Sequence, residues 1–459
     1  MKEKNEGAGY EKLSFLTKFS YGCGDFASQL TLTLVNSYLL IFYTDVVGLM
    51  PVAISVIMLI TRIWDAINDP MLGAIAERTH TRWGRFRPYL LFGAPVLAIA
   101  TGFTFMSPNF SVMGKNIYAL ITYTIWGMLF TAVNIPYGSL SSVMTKSPVE
   151  RNKLNSFRMI GTNLAGMLLS GAVIPVVTFF GQGNDLKGYT CAAFAFGIAS
   201  VPLFFLLFFN SKEVIEPVQH EKMPVKTSFM CMIKNRNMLV IIAFLLFYMI
   251  GLFGRMAIAV YYIMYSVARV DLIPVLMMLP SCGAVIGILI SSQLLAKVGR
   301  KRMIIIAALG SGISLIILYF IPLANIELIC LFSFIYGLFQ FAAPIGFTLT
   351  ADTIDYGEDR FGYRIDGFAF GITSFSTKLA NTIAGVVGVP ALVMVGYVAN
   401  AEQTMATRMG INGVVNLGCG LFLILAAFIM FFYNLSDEEC AKIRQRLDQK
   451  QALRNKAEN

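Results

Sequence analysis

Apolar and polar positions in this chain do not alternate; they fall in long blocks. Apolar runs cover 21–47, 51–76, 89–107, 117–144, 156–180, 189–210, 237–266, 272–296, 303–323, 327–351, 368–397 and 409–433. These twelve runs are too long for strands. A chain crossing hydrocarbon must satisfy its own backbone, so each run predicts a transmembrane helix, which takes roughly 20 apolar residues. The longest interior polar stretch, 211–236, separates six runs from six. The pattern predicts an all-α integral membrane protein with twelve transmembrane helices in two pseudo-symmetric six-helix bundles. Its expected parts are a cytoplasmic N-tail 1–20, a bundle 21–210, a cytoplasmic linker 211–236, a bundle 237–435 and a cytoplasmic C-tail 436–459.

Composition agrees. Of 459 residues, 56% are apolar and 14% charged, against about 25% charged in soluble chains. A disordered chain is excluded and a large soluble enzyme is improbable. Seven Cys lie scattered without CxxC or zinc-like spacing and read as packing residues rather than disulfide or metal partners. Residues 1–18 are polar and lack the apolar core of a signal peptide.

The net charge of +10 might suggest nucleic acid, but the basic residues sit between apolar runs. With both termini in the cytoplasm, the inner segments hold 28 of the 36 Lys and Arg residues, and the outer loops hold four: Lys115, Lys187, Arg269 and Arg408. This positive-inside bias predicts a multi-pass protein of a bacterial-type inner membrane, with membrane lipid and not nucleic acid as its surroundings. A short basic loop recurs at the same place in each half: 77–88 carries Arg78, Arg82, Arg85 and Arg87, and 297–302 carries Arg300, Lys301 and Arg302. Related halves are common in transporters. The tail 436–459 reads as a solvated helix, with Ser436 as N-cap and Asp437, Glu438 and Glu439 in its first turn.

Ionisable groups inside a span are costly and usually face a bundle interior or cavity. The candidates are Asp25, Asp45, Arg62, Asp65, Asp69, Arg158, Arg255 and Lys378. Asp45 and Arg62 lie where snorkelling from a helix end would explain them. In Arg62-Ile-Trp-Asp65-Ala-Ile-Asn68-Asp69-Pro70 the two acids are spaced i,i+4 and Asn68 is i+3 from Asp65, so all three share one helix face. Such an oxygen-rich face suits a hard monovalent cation, or two carboxylates sharing a proton, and Pro70 frees a carbonyl nearby. Alternatively the acids simply pair with Arg62, Arg158 or Lys378 and hold the fold. Arg158, Arg255 and Lys378 can clamp a carboxylate or donate to sugar hydroxyls, or partner those acids. Both histidines, His80 and His220, fall in loops, so carboxylates would have to carry any proton. No GxSxG, HExxH, P-loop or Ser/His/Asp set occurs; neither enzyme activity nor a cofactor is expected.

Several motifs together resemble the glycoside–pentoside–hexuronide:cation symporters of the major facilitator superfamily, to which melibiose permease and bacterial glucuronide and xyloside carriers belong. They are Tyr43-Thr-Asp45-Val-Val-Gly48, the Arg62–Pro70 motif, Arg82-Trp-Gly-Arg-Phe-Arg-Pro88, Asn134-Ile-Pro-Tyr-Gly-Ser-Leu140 and Asp352-Thr-Ile-Asp-Tyr-Gly-Glu358. The resemblance runs over nearly the whole chain. It implies alternating access driven by a sodium, lithium or proton gradient. It also implies a cation site of Asp65, Asn68, Asp69 and Thr131, which are the metal ligands if the ion is sodium. Gln29, Asn134, Arg158 and Arg255 would meet the sugar, with Lys378 coupling sugar to cation. Family members that hold galactosides through two carboxylates carry them where this chain has Gln29 and Asn134, and Gly138 replaces a stacking Trp. Loss of two negative charges beside Arg158 and Lys378 favours glucuronide-like or xyloside-like substrates. The expected partners are thus a small sugar or glycoside and a monovalent cation, with the monomer as functional unit. The rival functions are a lipid or lysolipid:cation symporter of the same superfamily and a non-transporting membrane sugar sensor.

Overall fold

The computed structural model describes residues 12–79, 81–145, 148–214, 225–362 and 366–458, and among these the chain forms helices and no strand. His80, His220, the first eleven residues, the linker part 215–224 and residue 459 lie outside the described residues. In chain order the helices are α1 Phe15–Ile41, α2 Pro51–Arg78, α3 Arg87–Thr104, α4 Val112–Met144, α5 Pro148–Gly181, α6 Asp185–Asn210, α7 Val225–Lys234, α8 Arg236–Tyr261, α9 Ile273–Val298, α10 Arg300–Phe320, α11 Ile326–Leu338, α12 Ala342–Phe361, α13 Asp366–Met394, α14 Met405–Asn412, α15 Cys419–Ile429 and α16 Asp437–Glu458. Starts are set by local chemistry. Ser14, Ser111, Asn184, Asn235, Asn325 and Thr404 each accept a backbone N–H of the first turn, and Pro51 opens α2.

Eleven helical spans among the described residues are long and apolar enough to cross a membrane. α3, which begins on Arg87-Pro88, is the helix of the remaining predicted run. Four runs are not single α-helices; the first passes from α1 into a π-helical turn, Phe42–Val46. The tenth breaks at 339–341 between α11 and α12; there a Cβ on Gly337 would come within 2.1 Å of the Pro280 carbonyl oxygen. α8 ends in a π-helical turn, Tyr262–Val267, and the last run changes from α14 to α15 through another, Gly413–Gly418.

The chain divides into two compact units. The first comprises Met1–Gln219, Asp271–Met278 and Ala399–Ala401, and the second His220–Val270, Leu279–Val398 and Glu402–Asn459. Each unit closes its basic loop onto the end of its last long helix by the same device. In the first, the Glu213 carboxylate accepts the backbone N–H groups of Arg85, Phe86 and Arg87 at 2.8, 2.9 and 3.1 Å, which suits the positive end of α3. Gly84, at φ +108°, leaves the space that carboxylate occupies; a Cβ there would lie 2.5 Å from Glu213 Oε1. Arg87 Nη2 donates to the Phe208 carbonyl near the end of α6 at 2.8 Å. In the second unit, Asp437 accepts the backbone N–H of Arg300 at 3.0 Å beside Gly299, at φ +86°, and Lys301 donates to the Tyr433 carbonyl.

Two polar segments depart from the sequence expectation. The tail helix α16 is capped as expected: the Glu439 N–H donates to Ser436 Oγ at 3.2 Å, and Glu439 accepts the Ser436 N–H at 2.9 Å. It is not a freely solvated helix, however. Arg444 pairs with Asp355 at 3.3 Å and Arg446 with Asp359 at 2.9 Å, because Asp352, Asp355 and Asp359 recur on one face of α12. Within 211–236 the chain forms α7, whose Met232 is buried with Met238, Ile354 and Ala369.

Candidate functional site

In the first unit, small residues bring α1 and α5 into backbone contact. A Cβ on Gly161 would lie 2.2 Å from the Gly22 carbonyl oxygen, and one on Gly22 2.7 Å from that of Phe157. One turn along, this closeness lets buried Asp25 meet two partners on α5. Arg158 Nε donates to Asp25 Oδ1 at 3.1 Å, and the Thr162 hydroxyl donates to Asp25 Oδ2. The Arg158 guanidinium lies over the Tyr137 ring, 5.3 Å from its centroid. Tyr137 stacks on Tyr21 at 4.9 Å and donates to the Tyr21 carbonyl at 2.8 Å. The Arg158 side chain keeps 36% of its surface exposed while Asp25 keeps 6%. Asp25 therefore holds one edge of the guanidinium and leaves the rest able to bind.

Arg158 thus pairs with Asp25, not with Asp65 or Asp69 as the sequence reading considered. Asp25, named among the charged residues inside spans, was given no role by that reading. Its spacing of i,i+4 from Gln29 puts both on one face of α1, and that was the available signal. Gln29 is half-buried and accepts from Thr33 at 3.3 Å. Asn134, also half-buried, lies one turn before Gly138, whose missing Cβ faces Arg158 Nη1 at 3.8 Å.

A second group joins α2 to α4. Thr61 and Thr124 share a hydrogen bond of 3.2 Å. Arg62 donates to the Tyr123 hydroxyl at 2.9 Å and to Asp65 Oδ2 at 3.2 Å. Arg62 is therefore tied inside the unit rather than snorkelling from a helix end. A Cβ on Gly127 would sit 3.0 Å from Asp65 Oδ1, so absence of a side chain there lets the carboxylate lie against α4. Position 61 faces 124 and 65 faces 127. Continuing that register by one turn places half-buried Thr131 opposite Asn68 and Asp69. Asn68 is buried and its Nδ2 has no hydrogen-bond partner among the described residues. Such an unmade bond costs about 1–3 kcal/mol.

In the second unit Arg255, on α8, is only 6% exposed. Among the described residues its Nε and Nη1 have no hydrogen-bond partner. Its guanidinium carbon lies 5.7 Å from the Tyr262 ring centroid and 5.5 Å from that of Tyr336. A central arginine costs about 2.5–3.5 kcal/mol on insertion scales; each cation–π contact returns about 0.5–2 kcal/mol. Lys378 lies exposed on α13.

A sequence model described as MFS/sugar transport protein matches residues 20–437. The chain belongs to this family. It is 31% identical over 447 residues to the isoprimeverose transporter of Lactiplantibacillus pentosus, covering 95% of this chain and 92% of that one. It is 29% identical over 448 residues to the glucuronide carrier protein homolog of Escherichia coli (strain K12), covering 96% and 97%. The fold matches the crystal structure of a D-xylose-proton symporter with a TM-score of 0.67 at 16% identity, over 92% of this chain and 98% of that one. The protein is a multi-pass membrane transporter of the major facilitator fold for a small sugar or glycoside, and not an enzyme. For a sugar transporter, Arg158, Arg255 and the acid-bearing face of α2 are the groups whose chemistry must be assigned.

Proposed function

We propose that this protein is a secondary active symporter that imports a glycoside, pentoside or hexuronide together with a monovalent cation, Na+ or H+, by alternating access. The observation that carries the reading is the polar face of α2, where Asp65 lies against Gly127 of α4 beside buried Asn68; continuing that register supports Thr131 as a further member. A membrane-buried pair of acids with an amide oxygen available beside it has the chemistry of a cation site. Asp65, Asn68, Asp69 and Thr131 bind the cation as cargo. Gln29, Asn134 and Arg158 meet sugar hydroxyls, and Lys378 couples the two events. Binding of each ligand favours the same conformation, and that mutual preference is the coupling. The protein works as a monomer in a bacterial inner membrane with both termini cytoplasmic.

Counterflow in proteoliposomes against a panel of glucuronides, xylosides and galactosides, with and without sodium, tests the function. Asp69→Asn is expected to abolish gradient-driven accumulation. Normal cation-stimulated uptake by that variant removes the cation-site assignment.

A further inference from the structure

We propose that Arg255, with Tyr262, Tyr336 and Asn416 around it, receives the acidic group of the transported sugar, a carboxylate or a sulfonate. The proposal rests on the sugar-transport reading above and names the class of its substrate.

Four observations carry it. Arg255 is buried in the second unit, yet Nε and Nη1 have no partner among the described residues, and no ion pair there involves it. Among the described residues, its neighbours are uncharged: Tyr262 and Tyr336 present ring faces, and Cys419 lies beside them, its Sγ 3.3 Å from where a Cβ of Gly254 would stand. Two further polar atoms are equally unsatisfied. The Tyr262 hydroxyl and Asn416 Oδ1 are buried near each other, and neither makes a hydrogen bond of normal geometry among the described residues. The Asn416 orientation is fixed, since its Nδ2 donates to Asn412 Oδ1 at 2.7 Å. Finally, Tyr262 and Asn416 stand in the two π-helical turns of this unit, and π-turns concentrate at functional sites because their backbone can re-register.

The unmet groups are thus two guanidinium donors, a phenol and an amide acceptor. A carboxylate or sulfonate offers paired acceptor oxygens to the guanidinium, and a neighbouring ring hydroxyl donates to Asn416. A hexuronide or a sulfonated sugar carries both; a neutral pentoside carries only the hydroxyl. Because Nε and Nη1 are sealed in the state described here, ligand entry requires a local rearrangement, and the anion favours the rearranged state by its differential affinity.

The test uses full-length protein in liposomes, with methyl β-glucuronide and methyl β-glucoside as probes, which share a ring and differ in the carboxylate. Wild type is expected to favour the acidic probe by about 30-fold in kcat/KM, the size of a charge-assisted hydrogen bond. Arg255→Gln should collapse that ratio toward one, and Arg255→Lys should restore part of it. A wild-type ratio near one, or an equal loss for both probes in Arg255→Gln, overturns the proposal; the second result makes Arg255 a gating residue or the partner of an acid in another state. If wild type moves neither probe, the symport reading fails first, and thermal unfolding decides the site. Methyl β-glucuronide should then raise the Tm of wild type and not of Arg255→Gln, and no difference overturns the assignment. An equal rise with sodium sulfate or sodium acetate at the same concentration assigns the site to a free anion and also overturns it.

Discussion

Arg158 in the first half and Arg255 in the second are held in opposite ways. Arg158 is anchored by a buried carboxylate, with a threonine on that acid's other oxygen and a tyrosine ring beneath the guanidinium. Arg255 is more deeply buried and has two rings and, among the described residues, no acid. A paired guanidinium can only share its remaining donors, which suits neutral hydroxyls. One without a carboxylate keeps its full charge for a ligand. The halves repeat their loop caps closely, so the difference in arginine chemistry is not a by-product of different folds.

The largest test of the contrast is stability. Asp25→Ala leaves Arg158 without its counterion and should cost about 2–3 kcal/mol. That is below the usual 3–5 for a broken buried pair, because Arg158 is partly exposed. Detergent unfolding would read this as a fall in Tm, and an unchanged Tm would mean the pair carries no weight. Arg255→Gln should move the other way or not at all, within about 1 kcal/mol, because removing an uncompensated buried charge relieves a cost. A large loss there would reveal an acid partner for Arg255. Tyr137→Phe keeps the ring under Arg158 but deletes the bond to the Tyr21 carbonyl, and should cost about 1 kcal/mol.

The smallest effects lie at the polar ends. Glu150 accepts from Lys153 at 2.8 Å and from Lys18 at 2.7 Å. Hydrogen bonds from Lys153 and then Lys18 pull its carboxyl down to about 2. Because the folded value lies below the unfolded one, the stabilisation is fully present above the usual carboxylate range near 4.5 and is lost as pH falls from there toward 2. Glu150→Gln should therefore lower Tm slightly at pH 7 and make no difference near pH 2. Arg444→Ala, at a largely exposed side chain, should cost about 0.5 kcal/mol or less.

Much of the frame was readable from the residues. Block length predicted the spans, and the i,i+4 spacing of Asp65 and Asp69 placed them on a shared face that α4 then covers. Which charges meet across helices was not readable. Asp25 and Arg158 are 133 positions apart, and their meeting depends on Gly22 and Gly161, whose role in letting two backbones touch leaves no trace in an apolar run. The docking of α16 was hidden for a related reason. Arg444 and Arg446 look like any solvated charge until the acids of α12 are seen opposite them. For Arg62, the pairing with Asp65 three residues on was among the alternatives the spacing offered, whereas its bond to Tyr123 on another helix was not readable.

The paired loop caps also have a consequence in time. Glu213 closes the first half and is made before any residue of α8, so that half can complete its circuit while the second is still being synthesised. Asp437 closes the second half and arrives roughly 220 residues later. At about 5–20 residues per second of chain growth, on the order of 10–45 seconds separate the two closures. Throughout that interval the backbone N–H of Arg300 lacks its Asp437 cap, while the Arg300 side chain can pair with Asp352 as soon as α12 is made.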